Sequence, residues 1–215
     1  GSQHVVAESG RRTRVDFTYS DRGRGDELTA RWTLDEAGVP VEYVVTGKDY
    51  MKSAVNERFT LRNGRATWSV GSERGERESA APAFYLPLSA PPEYYGVLAR
   101  ALLRAKDRRL ALLPDGEARI EPVELAATDR EGVPESLRLY RVIGLTFSPA
   151  HVWLDADDST GAQASPWLSA VQSQYADRLP RILAAQAKAE TRWAAELART
   201  QARTPRGDLL IRSAR

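Results

Sequence analysis

Short runs in which apolar and polar residues strictly alternate fill the first third of this chain, and they constrain its fold more than anything else. Val15, Phe17 and Tyr19 fall on one face of a run from Arg14 to Tyr19. Leu28, Ala30, Trp32 and Leu34 do the same, then Val41, Tyr43 and Val45 after the turn-forming Glu36-Ala37-Gly38. Alternation with period two is the mark of a half-buried strand. Asn63-Gly64 separates two more such runs, Arg58–Arg62 and Arg65–Val70. Both residues tolerate the positive φ of a type I′ turn, so a hairpin is predicted there. Asp21–Asp26 is a loop by composition, and Ser72–Ser79 a loop or exposed ribbon.

The period changes after Ala83-Phe84-Tyr85-Leu86-Pro87-Leu88. Tyr94, Val97, Leu98, Ala101 and Leu102 share one helical face, and Pro91-Pro92 suits the helix entrance. Strands are expected again near Glu117–Glu121, from Leu137 to Ile143, at Val152-Trp153-Leu154 and at Ala162–Ser165. Asp155–Gly161 reads as the turn before that last strand. From Trp167 onward a helical stripe of Leu179, Ile182, Leu183, Trp193 and Leu197 runs through Ala-rich sequence to about Thr200. Pro180 is expected to begin a helix.

The predicted fold is therefore α+β: a large, curved antiparallel sheet, half-barrel-like, with a helix over one face and a helical C-terminal segment. The expected divisions are a disordered lead over 1–10, a β domain over 11–166 with a helical insertion near 92–105, helix over 167–200, and a linker with a following strand over 201–215.

The 31 basic and 29 acidic side chains are interspersed and leave a net charge of +2, so no basic stripe marks a nucleic-acid surface. The absence of cysteine excludes disulfides, thiolate catalysis and cysteine-ligated metals. No apolar run reaches the ~18 residues of a transmembrane helix. Gly1-Ser2 resembles a cloning remnant, which leaves room for an export signal ahead of it.

Catalytic signals are poor. Of the two histidines, His4 sits in the expected lead and His151 at a strand start with no nucleophile turn such as G-x-S-x-G anywhere. Asp155, Asp157 and Asp158 form the densest acidic group, but the sixth and twelfth positions of a calcium loop would be Thr160 and Pro166. No glycine-rich phosphate loop occurs. No catalytic, cofactor-binding or metal-binding residue is assigned, and no cofactor is expected. The one candidate site is an apolar cavity between sheet and helix, lined by Trp32, Tyr43, Trp68, Phe84, Tyr85, Leu98 and Leu102.

Two resemblances follow. Gly207-Asp208-Leu209-Leu210-Ile211-Arg212-Ser213-Ala214-Arg215 resembles the opening strand of the amidohydrolase superfamily, just ahead of its metal-bearing barrel. Tyr19–Gly25, Gly47–Tyr50, Glu57–Phe59, Pro82–Tyr85 and Val152–Asp155 are similar to the N-terminal extension of some exported members. The resemblance implies a non-catalytic accessory domain of a bacterial, periplasmic or secreted metal-dependent hydrolase. That domain would be partnered by a downstream amidohydrolase domain or a bound catalytic subunit, with the family's His-x-His pair lying beyond this truncated stretch. The element order is also similar to the half-barrel carriers of bacterial lipoproteins. That likeness implies the alternative, a module binding a lipid or other apolar ligand.

Overall fold

The computed structural model describes residues 1–79 and 82–201. Two seven-stranded sheets, rather than one, make up the β framework. Sheet I is a meander of β1 (Ser2–Glu8), β2 (Arg12–Thr18), β3 (Glu27–Leu34), β4 (Pro40–Lys48), β5 (Ala54–Arg62), β6 (Arg65–Val70) and β7 (Glu73–Glu78), all antiparallel. Sheet II comprises β8 (Ala83–Tyr85), β9 (Arg109–Leu113), β10 (Glu117–Pro122), β11 (Arg138–Ile143), β12 (Ala150–Leu154), β13 (Thr160–Gln163) and β14 (Ala170–Val171). Its strands also follow chain order, and only the β8–β9 pair is parallel. Helix α1 (Glu93–Arg104) makes that crossover, and α2 (Leu179–Gln201) ends the described chain. The fold is α+β and mostly antiparallel, as expected.

Alternation decides which way each strand faces. Val15, Phe17, Leu28, Ala30, Trp32, Tyr43, Val45 and Phe59 turn inward from sheet I and are buried. Ala118, Ile120, Tyr140, Val142, Val152 and Leu154 join the same core from sheet II. At the β5–β6 turn, Asn63 and Gly64 have φ of 51° and 73°, the pair of positive values that a type I′ turn requires.

Helix α1 lies between the sheets instead of covering one face. The Tyr94 ring meets Trp32 and Tyr43 of sheet I and Phe84 of sheet II. On the side of β13, an added Cβ at Gly96 would fall 1.8 Å from Thr160 Oγ1, so only glycine allows this approach. Val97, Leu98, Ala99, Ala101 and Leu102 are all buried.

The outer face of sheet II forms a second core with α2. Leu139 and Trp153 point outward there and pack with Ile182, Ala185 and Ala189. Trp153 Nε1 donates to Gln186 Oε1 at 3.0 Å. Lys188 and Arg192 bind the buried Asp129, and this pairing, Arg192 foremost, holds its carboxyl below the usual carboxylate range. Pro180 sits in the first turn of α2, as its missing N–H demands.

Several expected boundaries are corrected. Residues 2–8 are not a disordered lead but an edge strand, in register with β2 from Ser2↔Thr18 to Glu8↔Arg12. Its side chains are exposed on both faces apart from Gln3, so no alternation was needed to build it. Ser72–Ser79 contains the exposed edge strand β7, the ribbon alternative. Helix does not begin at Trp167: a loop, β14 and a 3₁₀ segment (Ser173–Arg178) come first. Of the predicted linker and final strand over 201–215, Gln201 instead ends α2, and 202–215 lie outside the described residues. No helix among the described residues is long and apolar enough to cross a membrane.

Candidate functional site

The seven residues expected to line an apolar cavity come together in one place, but they pack on one another. Trp32 lies opposite Tyr43 in the β3–β4 register, with rings near-parallel at 6.4 Å. Tyr85 stacks on Phe59 at 4.2 Å. Trp68, opposite Phe59, covers Gly75 so closely that a Cβ there would meet the indole at 2.3 Å. Phe84, Leu98 and Leu102 complete the buried cluster.

Three tyrosine hydroxyls in this core are each satisfied. Tyr43 donates to Ser89 O (2.6 Å), Tyr94 to Tyr85 O (3.0 Å) and Tyr85 to Glu57 Oε1 (2.7 Å). Burial pushes all three phenols above their ordinary pKa, and the Glu57 bond adds to this at Tyr85. Glu57 is 1% exposed and no cation among the described residues pairs with it. Its charge is met instead by Tyr85 and by the backbone N–H groups of Leu88 and Ser89, both at 3.0 Å. A buried carboxylate with three donors is a clamp, tying the 85–89 segment of one sheet to β5 of the other. Sequence reasoning overlooked it. The signal was available: Val55, Glu57, Phe59 and Leu61 share one strand face, and the acid stands in an apolar row.

Open space lies outside this cluster, including a shallow depression along residues 127–135. A cleft of about 720 Å³ runs along the seam where edge strand β1 of sheet I faces edge strand β14 of sheet II. Phe17, Tyr19, Leu168 and Val171 give it apolar wall, while Gln3, Glu93, Thr160, Gln163, Ser169 and Gln172 supply polar groups. None of the seven predicted lining residues belongs to it. His4, expected in a disordered lead, is on its rim in β1.

The polar wall is rigidly built. Gln3 Oε1 accepts from Glu93 N at 3.0 Å, so β1 caps the start of α1. Glu93 pairs with Arg100 at 2.7 Å, with side chains only 12% and 22% exposed. Arg100 also donates to Thr160 Oγ1 (3.0 Å), and Gln172 Nε2 to Thr160 O and Ser159 Oγ (both 3.1 Å). Burial raises the Tyr19 phenol, helped by the nearby Asp26.

His151 is buried on the outer face of sheet II, its Nδ1 3.0 Å from Glu190 Oε1. Burial pushes its pKa down; Glu190 opposes this and Arg141 adds to it. Arg141 in turn pairs with Glu121 at 3.5 Å and lies 4.8 Å over the Trp193 ring. This cluster fastens α2 and stands away from the cleft-lining residues. Asp155–Ser159 forms the predicted turn, and Asp155 accepts from Tyr175. Among the described residues no group of three or more His, Cys, Asp or Glu is arranged to hold a metal.

No family model matches the chain, and no curated protein matches it. Among solved structures it is similar to the crystal structure of a DUF1089 family protein (PA1994) from Pseudomonas aeruginosa, with a TM-score of 0.43 and 14% identity over 76% of this chain and 89% of that one. A likeness this distant identifies neither family nor function.

Proposed function

We propose that this protein is a binding module that holds an elongated amphipathic ligand, a lipid or a molecule built like one, in the cleft between β1 and β14. The observation that carries the reading is the cleft itself. Its 720 Å³ falls in the ~300–1,000 Å³ range of small-molecule sites. Its apolar residues would take a chain, and its amides, hydroxyls and Glu93 a polar head. The half-barrel likeness enters here in altered form: the ligand lies along the seam between two sheets, not inside the aromatic core. Denaturing mass spectrometry of organic extracts from the purified protein should reveal a co-purified amphiphile. Native mass spectrometry with added lysophosphatidylcholine should show one molecule per chain, lost in Gln172→Trp, which adds an indole to the cleft wall. Failure to retain any amphiphile, or retention unchanged by Gln172→Trp, would refute the reading.

The accessory-domain reading stands as a second proposal, with its exported setting. It is supported by the phrase Gly207–Arg215, which lies outside the described residues. It expects no turnover of amide, ester or lactone substrates by this chain alone; metal-dependent hydrolysis by residues 1–215 would overturn it.

A further inference from the structure

Four of the seven large apolar side chains exposed among the described residues gather at one end of the molecule. The β2–β3 and β4–β5 loops of sheet I meet there: Tyr50 donates its hydroxyl to Asp21, and Gly25 N donates to Tyr50 O. The loop before β14 joins them, with the Trp167 ring 6.3 Å from Tyr50. The segment after β8 arrives at the same end, because Leu88 N is bonded to Glu57, which lies opposite Val70 beside the β6–β7 turn. The β11–β12 loop belongs to this end too, since alternate connections of the antiparallel run β11 to β14 fall at one end of sheet II and the β13–β14 loop carries Trp167.

Each of these loops but the β2–β3 loop lifts one large apolar side chain into solvent. Met51 is 62% exposed, Leu88 82%, Trp167 72%, and Phe147 fully exposed. Residues 86–92, 144–149 and 164–169 contain no charged side chain, in a chain where 28% are charged. Surface loops of that composition would be poorly solvated. Leu88, Phe147 and Trp167 are set among Pro, Ser, Thr, Ala and Gly on three separate loops that offer no charged group for a folded protein partner to pair with. Tyr50 and Trp167, each with an apolar ring and a polar tip, are the residue types that settle at the level of lipid headgroups. On the neighbouring loops basic and acidic groups are mixed: Arg22, Arg24, Lys48 and Lys52 against Asp21, Asp26, Glu27 and Asp49.

We infer that this end docks on the surface of a lipid bilayer, with Met51, Leu88, Phe147 and Trp167 entering the headgroup–acyl boundary. Because the charges are balanced, attachment comes from apolar burial and does not need anionic lipid. Tyr19 and Leu168 bring the cleft to the same end, so a docked molecule would present the cleft to the membrane. The docking itself does not depend on the cleft holding a ligand.

The test is flotation of the full chain with vesicles of phosphatidylcholine alone, and of phosphatidylcholine mixed with phosphatidylglycerol, at low and high salt. Wild type should float with both, equally at either salt. The combined variant Leu88→Ser, Phe147→Ser, Trp167→Ser should bind about tenfold less or weaker still, with unchanged far-UV spectrum and melting temperature. Gln172→Trp, which adds an indole to the cleft wall beside the β12–β13 turn and away from the docking loops, should float like wild type, so that failure of docking is distinguished from failure of ligand binding. Four results would overturn the inference. They are absence of flotation, undiminished flotation of the triple variant, binding that requires phosphatidylglycerol and vanishes at high salt, and self-association without vesicle binding that the triple variant abolishes.

Discussion

Replacing Glu57 probes the contact that joins the two sheets, and its cost can be worked from the geometry. Oε1 accepts from the Tyr85 hydroxyl and Leu88 N, and Oε2 from Ser89 N. Glutamine has the same shape but a single carbonyl oxygen. If that oxygen takes the Oε1 position, the new NH₂ faces the Ser89 N–H, donor against donor. One bond is lost outright and two lose their charge assistance, for about 2 kcal/mol. Alanine strands all three donors and leaves a void. Leu88 and Ser89 are near the surface and can regain some water, so the total is about 3–4 kcal/mol. Tyr85→Phe removes one donor and should cost about 1 kcal/mol. Urea unfolding followed by far-UV circular dichroism measures all three. The order Tyr85→Phe, Glu57→Gln, Glu57→Ala should hold with constant m-values. The reasoning fails if Glu57→Gln matches wild type, or if the double variant Glu57→Gln, Tyr85→Phe is simply additive, since the two groups share a bond.

Other outcomes follow from single contacts. Trp32→Ala should destabilise by ~3–5 kcal/mol, because the indole is 1% exposed and packs on Tyr43 and Tyr94; an unchanged denaturation midpoint would remove it from the core. Gly96→Ala forces a Cβ into Thr160 and should cost ~1–3 kcal/mol, with partial recovery when Thr160→Ala is added, both read by thermal denaturation. His151 has a depressed pKa in the folded state, so the unfolded chain takes up its proton first. Its contribution is present above the unfolded value of ~6.5 and falls away as pH drops from there toward the folded value. His151→Gln should therefore lose less stability than wild type between neutral and mildly acidic pH in paired urea titrations.

Much of sheet I could be read directly, because one face of each strand from β2 to β6 is wet and the other dry. The pattern of Trp32, Tyr43 and Phe59 is the same in the sequence as in the fold. Strand β1 was invisible because it is exposed on both faces, and β9 because Leu110 and Leu112 follow α1 closely enough to pass as its continuation. The division into two sheets is not encoded locally: nothing in Leu86–Pro92 states that the chain has left one sheet for another. The aromatic core was legible as apolar residues on strand faces, but whether it is hollow depends on packing across sheets. The cleft could not be anticipated, since Gln3, Tyr19, Glu93, Thr160 and Leu168 meet only after both edges are placed.

Every ladder in both sheets pairs strands that are neighbours along the chain. Either half can thus assemble from nearby segments with little loop closure, which favours rapid formation. The slow event is the closing of one half over α1 onto the other, where residues as far apart as Glu57 and Ser89, or Gln3 and Glu93, first meet. Weakening the Glu57 clamp should then leave the refolding arm of a chevron nearly unmoved and steepen the rate at which the native protein comes apart, so this carboxylate governs how long the molecule lasts rather than how fast it forms.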